Sequence, residues 1–293
     1  MGYTGKKGIT TMPTKQTVNR SLQTTILAIV AALLLVIANS ALWVNRYIFD
    51  TDNFTQVATT SLTSESSRNA IASGIVDKVF QDRPLIKNIV DDPATRVISG
   101  LLGTTQFSNA LNTVVSKLQI VVTSKNQESV VVNLEGIKAT VTKLITVVDS
   151  NATGDKISQV PDQITIVDKE NIPDFYKYGV VFLWLGPIAL VGAVVALGYP
   201  YFKNAKSKYR HILLVQGLAL TVASMLALLV GPLFKPPLLA NIEQASARTV
   251  TSNLYDAFIA TFTAQTQILV WVGLGAVVIA TGFYVVPKLR GKK

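Results

Sequence analysis

Four uncharged stretches of about 20 residues are the feature that most constrains this chain. In the hydrocarbon of a bilayer, every backbone donor and acceptor must be paired within the protein, and a helix needs about 20 apolar residues to cross. None of the four stretches contains Asp, Glu, Lys or Arg. We therefore predict an α-helical membrane protein with four transmembrane helices, at 24–45, 178–200, 212–234 and 264–286.

Composition agrees with residence in lipid. The mean hydropathy is +0.40 and only 15% of the 293 residues are charged, which is too apolar for a soluble protein of this size. The chain contains no cysteine. A disulfide framework, a cysteine nucleophile and a thiolate metal site are therefore excluded.

The basic residues predict the orientation of the helices. Segments 1–23, 201–211 and 287–293 each carry four Lys or Arg and no acid, whereas 46–177 carries 13 basic and 15 acidic residues. Basic flanks resist translocation. We expect a multi-pass protein of the plasma membrane with both termini cytoplasmic, and with 46–177 and 235–263 on the outer side. The net charge of +10 is then a topology signal that suits anionic lipid of the inner leaflet, and nucleic acid is not an expected partner.

The first stretch has a second interpretation. Ala38-Asn39-Ser40 resembles the small-residue pattern that precedes a signal-peptide cleavage site. The long tail before this stretch and its long apolar core favour an uncleaved helix.

Segment 46–177 is long enough to form a domain of its own, which we predict to be an α-rich extracytoplasmic domain with a small two-stranded β-ribbon. Apolar spacing and capping signals predict a helix at 67–80, a short element from Pro84, a helix that Asp92 caps and Pro93 begins, and helices at 107–121 and 137–148. The runs 129–134 and 163–168 break the helical period, and we interpret them as the strands of the ribbon.

The second outer segment, 235–263, is shorter and amphipathic. We expect it to pack under the large domain. Pro236-Pro237 should end the third helix and turn the chain, because proline removes a backbone donor from a helix interior.

The exit from the first helix, Trp43-Val-Asn-Arg-Tyr-Ile-Phe-Asp-Thr-Asp-Asn-Phe54, carries a resemblance. It resembles an uncharacterised family of bacterial four-span integral membrane proteins, in which a tryptophan and an Asp-Thr-Asp-x-aromatic run follow the first helix. The order of segments and the motifs Val-Val-Val-Asn-Leu134 and Val160-Pro161-Asp162 are similar too. The resemblance implies a helical extracytoplasmic domain and three further spans, and it implies no activity.

Asp50 and Asp52 are the sharpest local candidates for chemistry. Two carboxylates this close could bind a cation such as Ca²⁺, but Phe54 and Gln56 stand where further oxygen ligands would be needed. We favour helix capping, in which Asp52 or Asn53 accepts from the free amides of a helix that starts at Phe54.

Catalysis has little support in the residues. Glu65, Asp91 and Asp92 could be imagined as the acid/base pair of an envelope hydrolase, yet nothing fixes their separation. The single histidine, His211, lies at the cytoplasmic start of the third helix, which excludes a histidine-based nucleophile or zinc site outside. We predict no enzyme, no catalytic residue, no metal site and no cofactor.

Transport is the main rival hypothesis. Ion-coupled carriers place ionisable groups at membrane depth, whereas the main polar amides here are Asn39 and Gln216, for which hydrogen bonding between helices or with interfacial water is the default. We therefore expect a non-catalytic scaffold or receptor for an envelope protein or polymer, with a subunit of a transport or channel complex as the alternative. Small residues on the third and fourth helices should serve packing within the bundle, with a homo-oligomer contact as the alternative use: Ala219, Ala223, Ala227, Ala276 and Ala280.

Overall fold

The computed structural model describes residues 15–79, 84–125, 130–133, 163–167, 175–203 and 208–290. The described residues form nine α-helices, one π-helical turn and two strands. The turn is Asn45–Phe49, the strands are β1 (Val130–Asn133) and β2 (Gln163–Val167), and the helices are α1 (Lys15–Val44), α2 (Thr51–Leu62), α3 (Glu65–Val79), α4 (Pro84–Leu102), α5 (Thr105–Thr123), α6 (Tyr176–Lys203), α7 (Tyr209–Leu228), α8 (Val230–Ala240) and α9 (Ala245–Arg290).

Four helical stretches are long and apolar enough to cross a membrane. They are Leu22–Phe49, Tyr176–Lys203, Tyr209–Ala240 and Ala245–Phe283. Each overlaps one of the four uncharged stretches of the sequence. The prediction of an α-helical chain with four such helices is confirmed.

The chain breaks its third long helix earlier than we predicted. Helix α7 ends at Leu228, and α8 then runs through Pro236 and Pro237 to Ala240. The expectation that this proline pair stops the helix is wrong. Proline removes a donor, but its fixed φ is compatible with helical backbone, so α8 continues with two fewer hydrogen bonds.

The last helix is longer than its membrane stretch requires. Helix α9 spans 46 residues and begins at Ala245, inside the segment 235–263 that we treated as separate from the fourth span. A bilayer crossing needs about 20 residues. A membrane crossing therefore does not require the N-terminal third of α9, and this part of the helix can pack against α2 and α3.

Helix α4 corrects a second proline prediction. Pro93 lies inside α4, so Asp92 does not cap a new helix. Instead the Asp92 carbonyl accepts from Arg96 Nε at 3.3 Å, and Asp91 Oδ1 accepts from Thr95 Oγ1 at 3.3 Å. The buried core residues of α4, Ala94, Ile98 and Leu102, all follow Pro93 and pack on α3.

The chain divides into two compact units. The first comprises Met1–Ile37, Ile188–Leu226 and Gln267–Lys293, and the second comprises Ala38–Pro187 and Ala227–Thr266. In the second unit, α3 packs on α4 through a core of five buried residues at helical spacing. They are Ala72, Val76, Ala94, Ile98 and Leu102.

The two strands pair antiparallel. Val131 lies opposite Thr165 and Asn133 opposite Gln163, with an irregularity in register between Val130 and Val131. Both strands fall within the runs 129–134 and 163–168. The helix that we predicted at 137–148 lies outside the described residues.

Candidate functional site

The junction between α1 and α2 is built around Asp50. The π-helical turn ends at Phe49, and Asp50 adopts an extended backbone with φ −83° and ψ 119°. Asp50 Oδ1 accepts from the backbone N–H and the side-chain amide of Asn53, each at 2.9 Å. Asp50 is thus the N-cap of α2, which begins at Thr51.

This geometry corrects the predicted cap. We assigned capping to Asp52 or Asn53 in front of a helix starting at Phe54, but both residues lie in the first turn of α2. An N-cap must be the last residue with non-helical backbone, and the π turn fixes that residue as Asp50. Asp52 still supplies the negative charge that the helix N-terminus favours.

A buried glutamine of α5 stabilises this junction through two hydrogen bonds. Gln119 on α5 is only 3% exposed, and its Oε1 accepts from Thr51 Oγ1 at 2.8 Å while its Nε2 donates to the Ile48 carbonyl at 3.0 Å. Gln119 therefore binds the chain on both sides of Asp50. No role was predicted for Gln119, whose sequence signal is an amide within the apolar face of α5.

The aromatic residues of the motif contact α9. Trp43 Nε1 donates to Thr261 Oγ1 at 2.8 Å, and the Trp43 ring meets Phe262 edge-on at 5.4 Å between centroids. Phe54 packs on Phe258 with centroids 5.2 Å apart. The motif Trp43 to Phe54 is thus a structural joint between α1, α2 and α9.

The structure separates the two candidate metal ligands. Asp50 is used in capping, whereas Asp52 lines a different feature, a small polar pocket of about 250 Å³ between α2 and α5, with Thr55, Gln56, Thr59, Thr60, Asn112 and Ser116. Among the described residues, no group of three or more His, Cys, Asp or Glu side chains could hold a metal ion. Asp50 and Asp52 therefore do not form part of a carboxylate cluster there.

The carboxylates considered for hydrolysis lie on two helices. Glu65 is in the first turn of α3, and Asp91 and Asp92 are in the middle of α4. None of the three lines either of two larger concave features of the second unit, one between α2 and α9 and the other between α2, α5 and α9.

One concave feature of the second unit is what we call the polar cleft. It has a volume of about 740 Å³ and lies between α2 and α9 beside the π turn. Its polar lining residues are Arg46, Tyr47, Asn53, Gln56, Thr60, Ser61, Ser64, Ser66, Asn253, Asp256 and Thr261.

Some side chains that line the polar cleft are hydrogen-bonded or ion-paired within the protein, and others are not. Asn253 Nδ2 donates to Ser66 and Ser67 at 3.1 and 2.9 Å, which fixes α9 against α3. Asp256 pairs with Lys235 at 2.6 Å. By contrast, Ser61 Oγ is buried without a hydrogen-bond partner. Because Ser61 Oγ is buried, a ligand in the cleft could reach only its exposed polar side chains, such as Arg46, Gln56 and Thr60.

A second cavity of the same unit, the apolar cavity, has a volume of about 420 Å³. It is lined by the aromatic rings of Phe49, Phe54, Phe175 and Phe258 and by aliphatic residues of α2, α5 and α9. It lies on another side of α2 from the polar cleft, since the two features share no lining residue.

The polar amides of the long helices are paired with neighbouring helices. Asn39 Nδ2 donates to Thr266 Oγ1 at 3.1 Å, and Gln265 Nε2 donates to the Asn39 carbonyl at 2.9 Å. Gln216 Nε2 donates to the Leu197 carbonyl at 2.8 Å, and its Oε1 accepts from Tyr201 at 3.1 Å. The predicted hydrogen bonding between helices is confirmed for both amides, while His211 is exposed near the start of α7.

Comparison of the chain with protein-family models, with curated proteins and with solved structures found no match.

Proposed function

We propose that this chain is a non-catalytic, multi-pass protein of the cell envelope whose outer domain, residues 46–177, acts as a scaffold or receptor for another envelope component. The polar cleft carries this proposal. A concave surface of about 740 Å³ lined by exposed polar side chains, Arg46, Gln56 and Thr60 among them, is suited to holding part of a polar polymer or protein.

The charges of the cleft favour binding over hydrolysis. Among the described residues that line it, Asp256 is the one carboxylate, and Lys235 already pairs with it. General acid/base cleavage of a glycan requires two carboxylates at a defined separation. Arg46, whose guanidinium lies 5.5 Å from the Tyr47 ring centre, supplies a cationic group for recognition.

The long helices offer no specific support for the transport alternative. Their main amides, Asn39 and Gln216, are paired with neighbouring helices and so contribute to packing. A ligand path through the bundle would need such groups to face a shared cavity.

The proposal predicts site-specific cross-linking from the cleft in intact cells. Benzoylphenylalanine placed at Gln56, an exposed residue of the cleft, should give an adduct with a wall polymer or an envelope protein. The same group at Gln106, an exposed glutamine of α5 outside the cleft, is the matched control and should give none. Adding Arg46→Glu to the Gln56 variant should lower adduct yield about tenfold, the equivalent of one charge-assisted hydrogen bond.

The other outcomes separate the competing hypotheses. An adduct with a permease or pump would favour a transport subunit. Equal adducts from positions 56 and 106 would show that the cleft is not the contact surface.

A further inference from the structure

We propose that the apolar cavity is a lipid site that takes the acyl tail of a bilayer lipid. This inference concerns a different cavity from the polar cleft and does not depend on what the cleft binds. It rests on the chemistry of the cavity wall and on the place of the cavity along the chain.

The wall of the cavity is apolar even where polar residues contribute to it. Within the described part of the chain, its polar lining residues are Gln119 and Thr123. The Gln119 side-chain amide is hydrogen-bonded to Thr51 Oγ1 and to the Ile48 carbonyl. Thr123 Oγ1 donates to the backbone carbonyl of Gln119 at 2.8 Å. Among the described residues that line the cavity, none has a charged side chain. A ligand therefore meets hydrocarbon and aromatic surface, which suits an alkyl chain and excludes a charged headgroup.

The cavity lies where membrane helices end. Phe49 is the last residue of the first membrane-compatible stretch, and Phe175 directly precedes the second, which begins at Tyr176. Phe49 also packs tightly on α6, since a Cβ placed on Gly179 would meet its ring at 2.5 Å. Rings from the ends of two membrane-compatible helices thus form one side of the cavity, and the apolar ligand that a bilayer offers to such helix ends is a lipid.

The remaining wall comes from residues beyond the spans. Phe54 and Ala58 of α2, Val115 and Leu118 of α5, and Leu254 of α9 line it. A tail inside the cavity would therefore touch residues that lipid around the spans does not reach. The volume of about 420 Å³ lies within the range of about 300–1,000 Å³ typical of ligand pockets.

Photolabelling of the full-length protein tests the proposal. The protein would be reconstituted into phosphatidylethanolamine and phosphatidylglycerol vesicles that contain a phosphatidylcholine with a diazirine on one acyl chain. After irradiation, labelled peptides would be mapped by mass spectrometry. We expect labels on the α2 and α5 peptides that contain Phe54 and Leu118, in addition to labels on the spans.

A matched pair of variants gives specificity. Val122→Trp fills the cavity and should lower labelling of the α2 and α5 peptides by about tenfold or more, because excluding even two methylene groups from apolar burial is worth that factor. Ile120→Trp adds the same ring to α5 at a half-exposed position outside the cavity and should leave labelling unchanged. Labelling of the spans serves as the internal reference in both variants.

Two results would overturn the proposal. One is equal labelling of the α2 and α5 peptides in Val122→Trp and in the unaltered chain. The other is labelling of these peptides by a free diazirine fatty acid but not by the phospholipid, which would assign the cavity to a soluble ligand. If Val122→Trp fails to fold, Ala58→Leu reduces the cavity with a smaller side chain and replaces it in the same comparison.

Discussion

Asp50, Thr51 and Asp52 have three different structural roles at the start of α2. Asp50 closes the N-terminus of α2, Thr51 donates to the buried Gln119, and Asp52 lies in the first turn of the helix. The sequence placed these residues at a helix start but could not select the cap. That selection depends on where the preceding π turn ends, which is fixed by the Gln119 bond to Ile48, 71 residues away.

The capping role of Asp50 predicts a specific order of stabilities. Asp50→Ala should cost about 1 kcal/mol, the usual effect of losing an N-cap, while Asp50→Asn should be close to the unaltered protein because asparagine caps equally well. Asp52→Ala should cost less, since only its interaction with the helix dipole is lost. Thermal unfolding in mild detergent measures all three.

The cation hypothesis makes the opposite prediction for the same variants. If Asp50 and Asp52 jointly bound Ca²⁺, added Ca²⁺ would raise the unfolding temperature of the unaltered protein, and Asp50→Asn and Asp52→Ala would both abolish that increase. No dependence on Ca²⁺ in any of the three is expected from capping.

At the scale of helices, α7 and α9 approach each other through a pair of glycines that the sequence analysis did not single out. A Cβ on Gly217 would lie 2.8 Å from the Gly273 carbonyl oxygen, and one on Gly273 would lie 2.5 Å from Thr221 Oγ1. The alanines predicted to pack lie alongside: Ala280 is fully buried, and Ala276 is 3.0 Å from the position of a Cβ on Gly217. Small residues permit this backbone contact.

The glycine contact predicts a sharp difference between alanine substitutions. Gly217→Ala and Gly273→Ala should each destabilise the protein by about 1–3 kcal/mol, because the added methyl group meets backbone atoms that cannot move without parting the helices. The unfolding temperature in detergent is the measurement.

Two other glycines of α9 serve as controls for helix propensity. A Cβ on Gly275 or Gly282 meets no atom within 4 Å. Gly275→Ala and Gly282→Ala should therefore be neutral or stabilising by up to about 1 kcal/mol. If all four variants behaved alike, α7 and α9 would not be in the close contact described.

At the scale of the whole molecule, the sidedness of the chain follows from charge alone and stays a prediction. Single cysteines can be introduced without background, because the chain has none of its own. In intact cells, an impermeant maleimide should label Lys125→Cys, which is exposed after α5, and should not label Ser207→Cys or Lys293→Cys. Labelling of all three after permeabilisation is the control, and labelling at 207 in intact cells would contradict the four-span topology.

The sequence by itself determined the four long apolar helices and the approximate positions of α3 and α5. The hydrocarbon acts on each residue of a span separately, and helical period requires only neighbours along the chain, so both signals are local. The numbers of acidic and basic residues in each loop are also read directly from the sequence, so the charge signal for orientation needs no tertiary structure.

Only the tertiary structure decided how these helices are joined. In the folded chain Asp50 is the N-cap of α2, α4 continues through Pro93, and α8 continues through its two prolines. Gly217 also lies against Gly273. The tertiary structure also paired Thr51 with Gln119, 68 residues apart, and Trp43 with Thr261, 218 residues apart. Such outcomes depend on the packing energy of neighbours that meet only in three dimensions, and no local pattern encodes which residues will meet.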